Sequence, residues 1–500
     1  DKGGPSRMNR IGMLITALLL TSTNIMAQEE EDFDVRGHIE HIGTGQMLSP
    51  QKGMRRIGTT ATAPLTCMGS PKVPVILVQF ADSSFSVKED EEAVKQAYQE
   101  LFNAAEGIHP GTSFCSVKEY FREQSDGQFT PDFDIIGPVT LSKNLAYYGE
   151  DKNGVKDIHI NEFYTEACQL AVAQHEADWN RYDNDGNGVV DFIFFIYAGH
   201  GQNQKGIDSN AIWPKEKPIY SAVKDDNSDI YFGSIGCTCE LYKNNMDGIG
   251  ACIHELCHGL GLPDFYDTNY QAYGLDYWDV MDTGCYKISG RMPVGFSAYE
   301  RDFMGWRKLV ELNPDSAYSL TLDPLETGGV AYKVVNKANE NEYFILENRQ
   351  EIGSDKYLGW ATSSQYTKYG ANHGLMITHV DYSLSAWNLN TVNTDKSHQR
   401  ITIVPADGEL ISSNERTDSQ WAISLHGDLY PGDNNVTEMS SYDVFTGGTL
   451  GLTIDNIVEH EDGTITLDIN GGKKAPDNPD NPDNPEDPDG LYEPDVPSIA

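Results

Sequence analysis

A chain of 500 residues that is 39% hydrophobic, with 26 Tyr, 18 Phe and 7 Trp, carries far more apolar surface than a disordered chain and is too long for one ordinary core. Its 36 Lys and Arg stand against 76 Asp and Glu, a net charge of −40 that repels phosphates and anionic lipid and so excludes nucleic acid as a partner.

Residues 1–7 read as upstream sequence. Residues 8–27 read as a signal peptide: Met8-Asn9-Arg10 leads into the apolar run Ile11 to Leu20, and Ile25 and Ala27 stand before a cleavage point at Gln28. The run is too short to span a bilayer, which predicts export to the periplasm or the medium without a membrane anchor. Eight cysteines in an exported chain predict some disulfides, with one bracing the region between Cys237 and Cys285.

Residues 28–70, acidic and then Gly/Thr-rich with weak periodicity, read as a propeptide or as an unstructured mature terminus. From residue 71 the pattern changes. Val73 to Phe80 reads as a buried strand, Val94, Ala97, Tyr98, Leu101 and Phe102 recur at helical spacing, and Ser116-x-x-Glu119 is the capping box of a second helix. A third helix is expected from about Ile158 to Trp179, followed by a buried strand from Val189 to Ala198. Residues 71–308 are therefore an α+β unit. Short apolar runs between Gly, Asn and Asp turns make residues 309–470 a β-rich, sandwich-like C-terminal domain. The Asp-Asn-Pro repeats of residues 471–500 form an extended acidic linker or tail.

The chemistry concentrates in Ala251-Cys-Ile-His-Glu-Leu-Cys-His-Gly-Leu-Gly-Leu-Pro-Asp264. On a helix, His254 and His258 project one turn apart from one face, the separation at which two imidazoles reach one zinc ion. Glu255 lies beside that ion without ligating it, placed to take a proton from the attacking water and deliver it to the leaving amine. Gly261 can adopt positive φ, end the helix and return Asp264 as a third ligand; otherwise Asp264 is a turn residue. Met281 downstream is either the methionine floor of the site or core filler. Tyr286 is either an oxyanion donor or a half-buried structural tyrosine.

These segments, HELCHGLGLPDFYD and WDVMDTG, resemble the immune-inhibitor-A-like family of bacterial metallopeptidases, related to the metzincins with Asp as third ligand in HExxHxxGxxD. The likeness extends through SVKEYFREQSDGQF (116–129), DNDGNGVVDFIFFIYAGHG (183–201), Ile212-Trp213-Pro214, YFILENRQ (343–350), HGLMITHVD (373–381) and ITIVPADG (401–408), and so covers roughly residues 71 to 470. It implies a metzincin-like catalytic fold, zinc on His254, His258 and Asp264, and Glu255 as the catalytic acid/base.

A second signal is Asp183-Asn-Asp-Gly-Asn-Gly-Val-Val-Asp191. Side chains of Asp183, Asp185, Asn187 and Asp191 and the carbonyl of Val189 can converge on calcium; the alternative is a metal-free Asx/Gly turn. Cys67 is either a thiolate that silences the zinc in an unprocessed chain or an idle or disulfide-bonded cysteine. The expectation is a monomeric zinc endopeptidase acting on proteins or peptides, which lie extended beside an edge strand near Ser234 to Glu240. Two other functions fit the motif: a zinc hydrolase of non-peptide amides or esters, and an exported binding or adhesion module with a structural zinc.

Overall fold

The computed structural model describes residues 55–57, 61–111, 113–174, 178–204, 206–218, 224–225, 230–360, 372–412 and 424–473. The expected signal peptide, most of the expected propeptide and all of the tail beyond residue 473 lie outside the described residues.

Five strands, β1 (Lys72–Gln79), β2 (Asp132–Thr140), β3 (Val189–His200), β4 (Lys215–Pro218) and β5 (Ile230–Tyr242), stand in the order β2-β1-β3-β5-β4. β1 runs parallel to β2 and β3, and β3 to β5; β4 alone reverses direction. Val73, Val75 and Leu77 face a core shared with α1 (Glu91–Asn103) and α2 (Val117–Gln124), whereas Ile76 and Val78 face α3 (Ile160–Gln174) on the other side. Alternate residues thus meet helices on both faces. That explains why β1 and β3 read as continuous apolar runs: a parallel sheet covered twice has no polar face. The α/β mixture expected from the sequence takes this form, with α4 (Gly250–Gly259) on the α1 side.

Local signals place the helices. Asp90 caps α1 by accepting from Ala93 N–H at 2.8 Å, and Ser116 Oγ caps α2 by accepting from Glu119 N–H at 3.1 Å. The box at Ser116 is not reciprocal, because the Glu119 carboxylate turns to Arg122 instead. A complete box closes on α5 (Ala298–Met304), between Ser297 and Glu300.

Three expectations are corrected here. The folded unit begins before residue 71: Ala63, Leu65 and Cys67 are buried, and Leu65 N–H donates to Gly259 O at 3.0 Å. Ser234–Cys237, the first part of the stretch expected at an edge, is interior, since β5 is flanked there by β3 and β4. The edge strand Lys-Glu-Lys-Pro has no apolar alternation and gave no strand signal. Finally, none of the eight cysteines forms a disulfide. Each is packed singly, as where Cys237 Sγ meets Tyr164 Oη at 3.4 Å and Cys239 Sγ meets Gln204 Nε2 at 3.2 Å.

Beyond α5, strands β6 (Val310–Leu312), β7 (Tyr318–Leu322), β8 (Tyr332–Val335), β9 (Glu342–Arg349), β10 (Gly374–Asp381), β11 (Ile401–Ile403), β12 (Ile454–Glu459) and β13 (Ile465–Ile469) build two main sheets. One has the order β6-β8-β9-β10-β11 and the other β7-β13-β12. Val334, Phe344, Leu346 and Ile377 of the larger sheet pack against Leu320, Ile454 and Leu467 of the smaller one. The opposite face of the larger sheet, with Ile345, Met376, Val380 and Ile401, joins the core that contains α4. No helix among the described residues is long and apolar enough to cross a membrane.

Candidate metal centre

α4 is buried along its whole length. Gly261 N–H bonds His258 O at 2.9 Å, Leu262 N–H bonds Cys257 O at 3.1 Å, and Gly261 itself has φ +102°. A side chain disfavours that backbone region, and the resulting turn carries Asp264 back toward the helix. His254 Nδ1 lies 2.9 Å from Val280 O and His258 Nδ1 lies 2.8 Å from Leu262 O. A carbonyl only accepts, so in the neutral rings both Nδ1 atoms carry the proton and both Nε2 lone pairs are free for a ligand. They face Asp264 Oδ1 at 3.1 and 3.3 Å, and one donor atom from each of the three residues lies within 4.8 Å of the others.

These residues fit a divalent cation on chemical grounds. His254, Glu255, His258 and Asp264 are each 1% exposed, and neither Glu255 Oε2 nor His258 Nε2 has a hydrogen-bond partner. Burial drives the Glu255 carboxyl well above its usual range, despite the counteracting charge of His258. Burial opposes a charge on His258, yet Asp264, then Glu255 and Glu216, outweigh it and bring the imidazole up to about 9. A proton thus fills the electrostatic need that a metal ion meets when two neutral imidazoles and a carboxylate share it.

Met281 is fully buried in the same core, and its carbonyl accepts Phe265 N–H at 2.9 Å, so the Val280-Met281 backbone supports both a histidine and the residue after Asp264. The Tyr286 phenol accepts from Asn203 Nδ2 at 3.1 Å. Cys67 is not brought to the three metal-facing side chains: its thiol donates to Met304 O at 3.0 Å and its carbonyl accepts from Trp306 Nε1 at 2.8 Å. The backbone pairing of Leu65 with Gly259 fixes that placement.

Two side chains at the centre had no sequence motif. Asn390, from the β-rich half, accepts from Asp264 N–H at 2.6 Å and donates to Asp264 Oδ2 at 2.6 Å. Tyr266 hydrogen-bonds Asp264 through its phenol, and Tyr270 stacks on its ring at 6.0 Å. The alternation Asp264-Phe-Tyr266 is the one hint the sequence held for Tyr266.

The acidic loop before β3 gathers Asp183, Asp185 and Asp191 into a second group with carboxylate oxygens within 4.8 Å of one another. Gly188 N–H and Asn187 N–H close the turn onto Asp183 at 2.8 and 2.9 Å. Asn187 Oδ1 accepts Val189 N–H at 2.9 Å. Burial raises Asp191 to about 7, and its Oδ1 has no hydrogen-bond partner.

A buried His-Glu-x-x-His helix whose imidazoles meet a carboxylate returned by a glycine turn defines a centre of the metallopeptidase class. Residues 65–308 match the immune inhibitor A peptidase M6 catalytic domain, a likeness that supports an immune-inhibitor-A-like metallopeptidase. The Pre-pro-metalloprotease PrtV of Vibrio cholerae serotype O1 is 28% identical over 273 residues, 47% of this chain and 29% of that protein. Immune inhibitor A of Bacillus thuringiensis subsp. alesti is 28% identical over 287 residues, 48% of this chain and 41% of that protein. The chain thus spans less than half the length of these curated relatives.

Proposed function

We propose that this chain is an exported, zinc-dependent endopeptidase with a metzincin-like catalytic unit, and that residues 28 to about 60 belong to a propeptide. His254, His258 and Asp264 hold the zinc. The reading is carried by the convergence of their donor atoms beside the buried, partly unpartnered carboxylate of Glu255. When bound there, zinc supplies Lewis acidity to the scissile carbonyl and makes water easier to deprotonate. Glu255 takes the proton of the attacking water and passes it to the leaving nitrogen, a role suited to a carboxyl whose pKa burial has raised. Tyr266, whose phenol reaches Asp264, and Tyr286, whose oxygen accepts from Asn203, are the two phenols that would donate to the tetrahedral oxygen.

Substrate lies extended along β4, the strand at the sheet edge beside α4, because main-chain pairing aligns a scissile bond with little demand on side chains. Calcium occupies the loop of Asp183, Asp185 and Asp191, with Asn187 and the Val189 carbonyl completing it. Among the described residues three side chains converge rather than four, which favours an open, catalytic metal over a closed structural one.

The deciding experiment compares the purified chain with Glu255→Ala on a mixed peptide library, with metal content measured on both. Hydrolysis is abolished and zinc stays near one per chain, since Glu255 is not a ligand. Hydrolysis that persists in Glu255→Ala removes the proposed mechanism.

A further inference from the structure

The register of β4 pairs Glu216 with Gly236 of β5 in antiparallel fashion. Residues directly opposite one another in such a pair point to the same face of the sheet. Gly236 belongs to the face turned toward α4: a Cβ there would meet the Phe192 and Phe194 rings at 2.9 and 3.1 Å, and a Cβ on Gly259 of α4 would meet the same Phe192 ring at 2.8 Å. Glu216 therefore projects from the sheet edge onto the helix that carries His254, Glu255 and His258, beside a position kept free of any side chain. Its neighbour Lys215 takes the other face, where its ammonium pairs with Asp157.

Glu216 is 5% exposed and its Oε2 has no hydrogen-bond partner. Burial raises its carboxyl, and it lies within electrostatic reach of His258 and Asp264. It is nevertheless outside the group of three side chains that converge on the metal position. A desolvated carboxylate oxygen without a donor is costly, and a charge-assisted hydrogen bond from a cation satisfies it best.

We propose that Glu216 is a specificity-determining residue that receives the ammonium or guanidinium of a Lys or Arg flanking the scissile bond, an inference that rests on the endopeptidase reading above. A substrate strand paired to the outer edge of β4 alternates its side chains, so the residue opposite Glu216 turns to the same face and meets the carboxylate close to Glu255. The same buried carboxyl, drawn into its charged form only by a cation, disfavours an acidic or apolar side chain there.

The test uses the zinc-loaded full chain and N-terminally acetylated peptides that differ only in the residue beside the scissile bond: Lys, Arg, norleucine or Glu. For the wild type, kcat/KM for Lys over norleucine is expected on the order of a hundredfold, falling to near parity in Glu216→Gln. A wild-type ratio near one, or a ratio that survives in Glu216→Gln, overturns the proposal. Should that variant fail to fold, competition in the wild type serves instead: butylguanidinium inhibits norleucine-peptide cleavage and the isosteric butylurea does not, and equal inhibition by the two overturns it. Repeating the series with free N termini separates a side-chain cation from an α-amine, and a preference confined to free-amine peptides overturns the side-chain assignment. If wild type and Glu255→Ala cleave no peptide differently, the endopeptidase reading itself fails, an outcome distinct from an active but unselective enzyme.

Discussion

The amide of Asn390 clasps Asp264 at both ends, accepting from its backbone N–H and donating to its Oδ2, each at 2.6 Å. Asn390 follows the short helix Leu384–Asn388 and has φ +53°, a backbone region that asparagine tolerates better than most residues. Asn393 reinforces the clasp by donating to Phe265 O at 2.6 Å. The β-rich half thus orients a side chain of the metal centre. Replacing Asn390 by Ala takes a hydrogen bond from each of two buried groups of Asp264, and metal affinity is expected to fall by about 10 to 100-fold. Dialysis against graded chelator, with metal counted in wild type and variant, measures this; equal retention would show that Asp264 needs no such support.

Gly261 is the second point of control. Its φ of +102° is a region that alanine avoids, so Gly261→Ala either strains the turn by on the order of 1–3 kcal/mol or relaxes it and displaces Asp264. The expected result is reduced melting temperature together with poor zinc retention. A variant that holds zinc like the wild type would refute the turn's role.

The calcium proposed for the Asp183, Asp185 and Asp191 loop would pin the start of β3, whose first residues pair with β5. Removing calcium leaves three carboxylates facing one another and lowers the melting temperature, which calcium but not magnesium restores because the loop offers many oxygens in flexible array. An unchanged melting curve after chelation contradicts the site.

Asp428 reports on the join between the two halves. Burial raises its carboxyl to about 8, while Tyr273 Oη and Trp278 Nε1 donate to it at 2.7 and 2.9 Å. A folded-state pKa above the unfolded one means that the native chain keeps a proton which the unfolded chain has released, so this group's contribution falls as pH rises from about 4 to 8. Asp428→Asn removes that dependence. Its stability relative to wild type should climb across this window and level off above it, as denaturant unfolding at several pH values would reveal. A difference independent of pH argues against a protonated Asp428.

Cys67 gives a prediction opposite to a thiolate switch. With its thiol directed to Met304 O, Cys67→Ala should cost stability, of the order expected for a small core truncation, and leave the activity of an unprocessed chain unchanged. Activation of the unprocessed chain by that substitution would restore the switch.

The helix of His254, Glu255 and His258, the turn at Gly261 and the return of Asp264 were legible in the sequence because each depends on neighbours a few residues away. The same holds for β1 and β3, whose unbroken apolar runs could only be strands covered on two faces, and for the acidic loop at Asp183 to Asp191. What crosses long stretches of chain carried no comparable signal. Asn390 is 126 positions from the carboxylate it holds. Glu216 lies in a polar strand without alternation, and its place over α4 follows only from its pairing with Gly236. Ser234 to Cys237 resembled an edge because the sequence records side-chain polarity but not which strand comes to lie alongside. Spacing along a helix or turn is fixed by backbone geometry, so residue order alone determined the metal motif; strand neighbours and the contacts between the two halves are fixed by packing, and only the folded chain decided them.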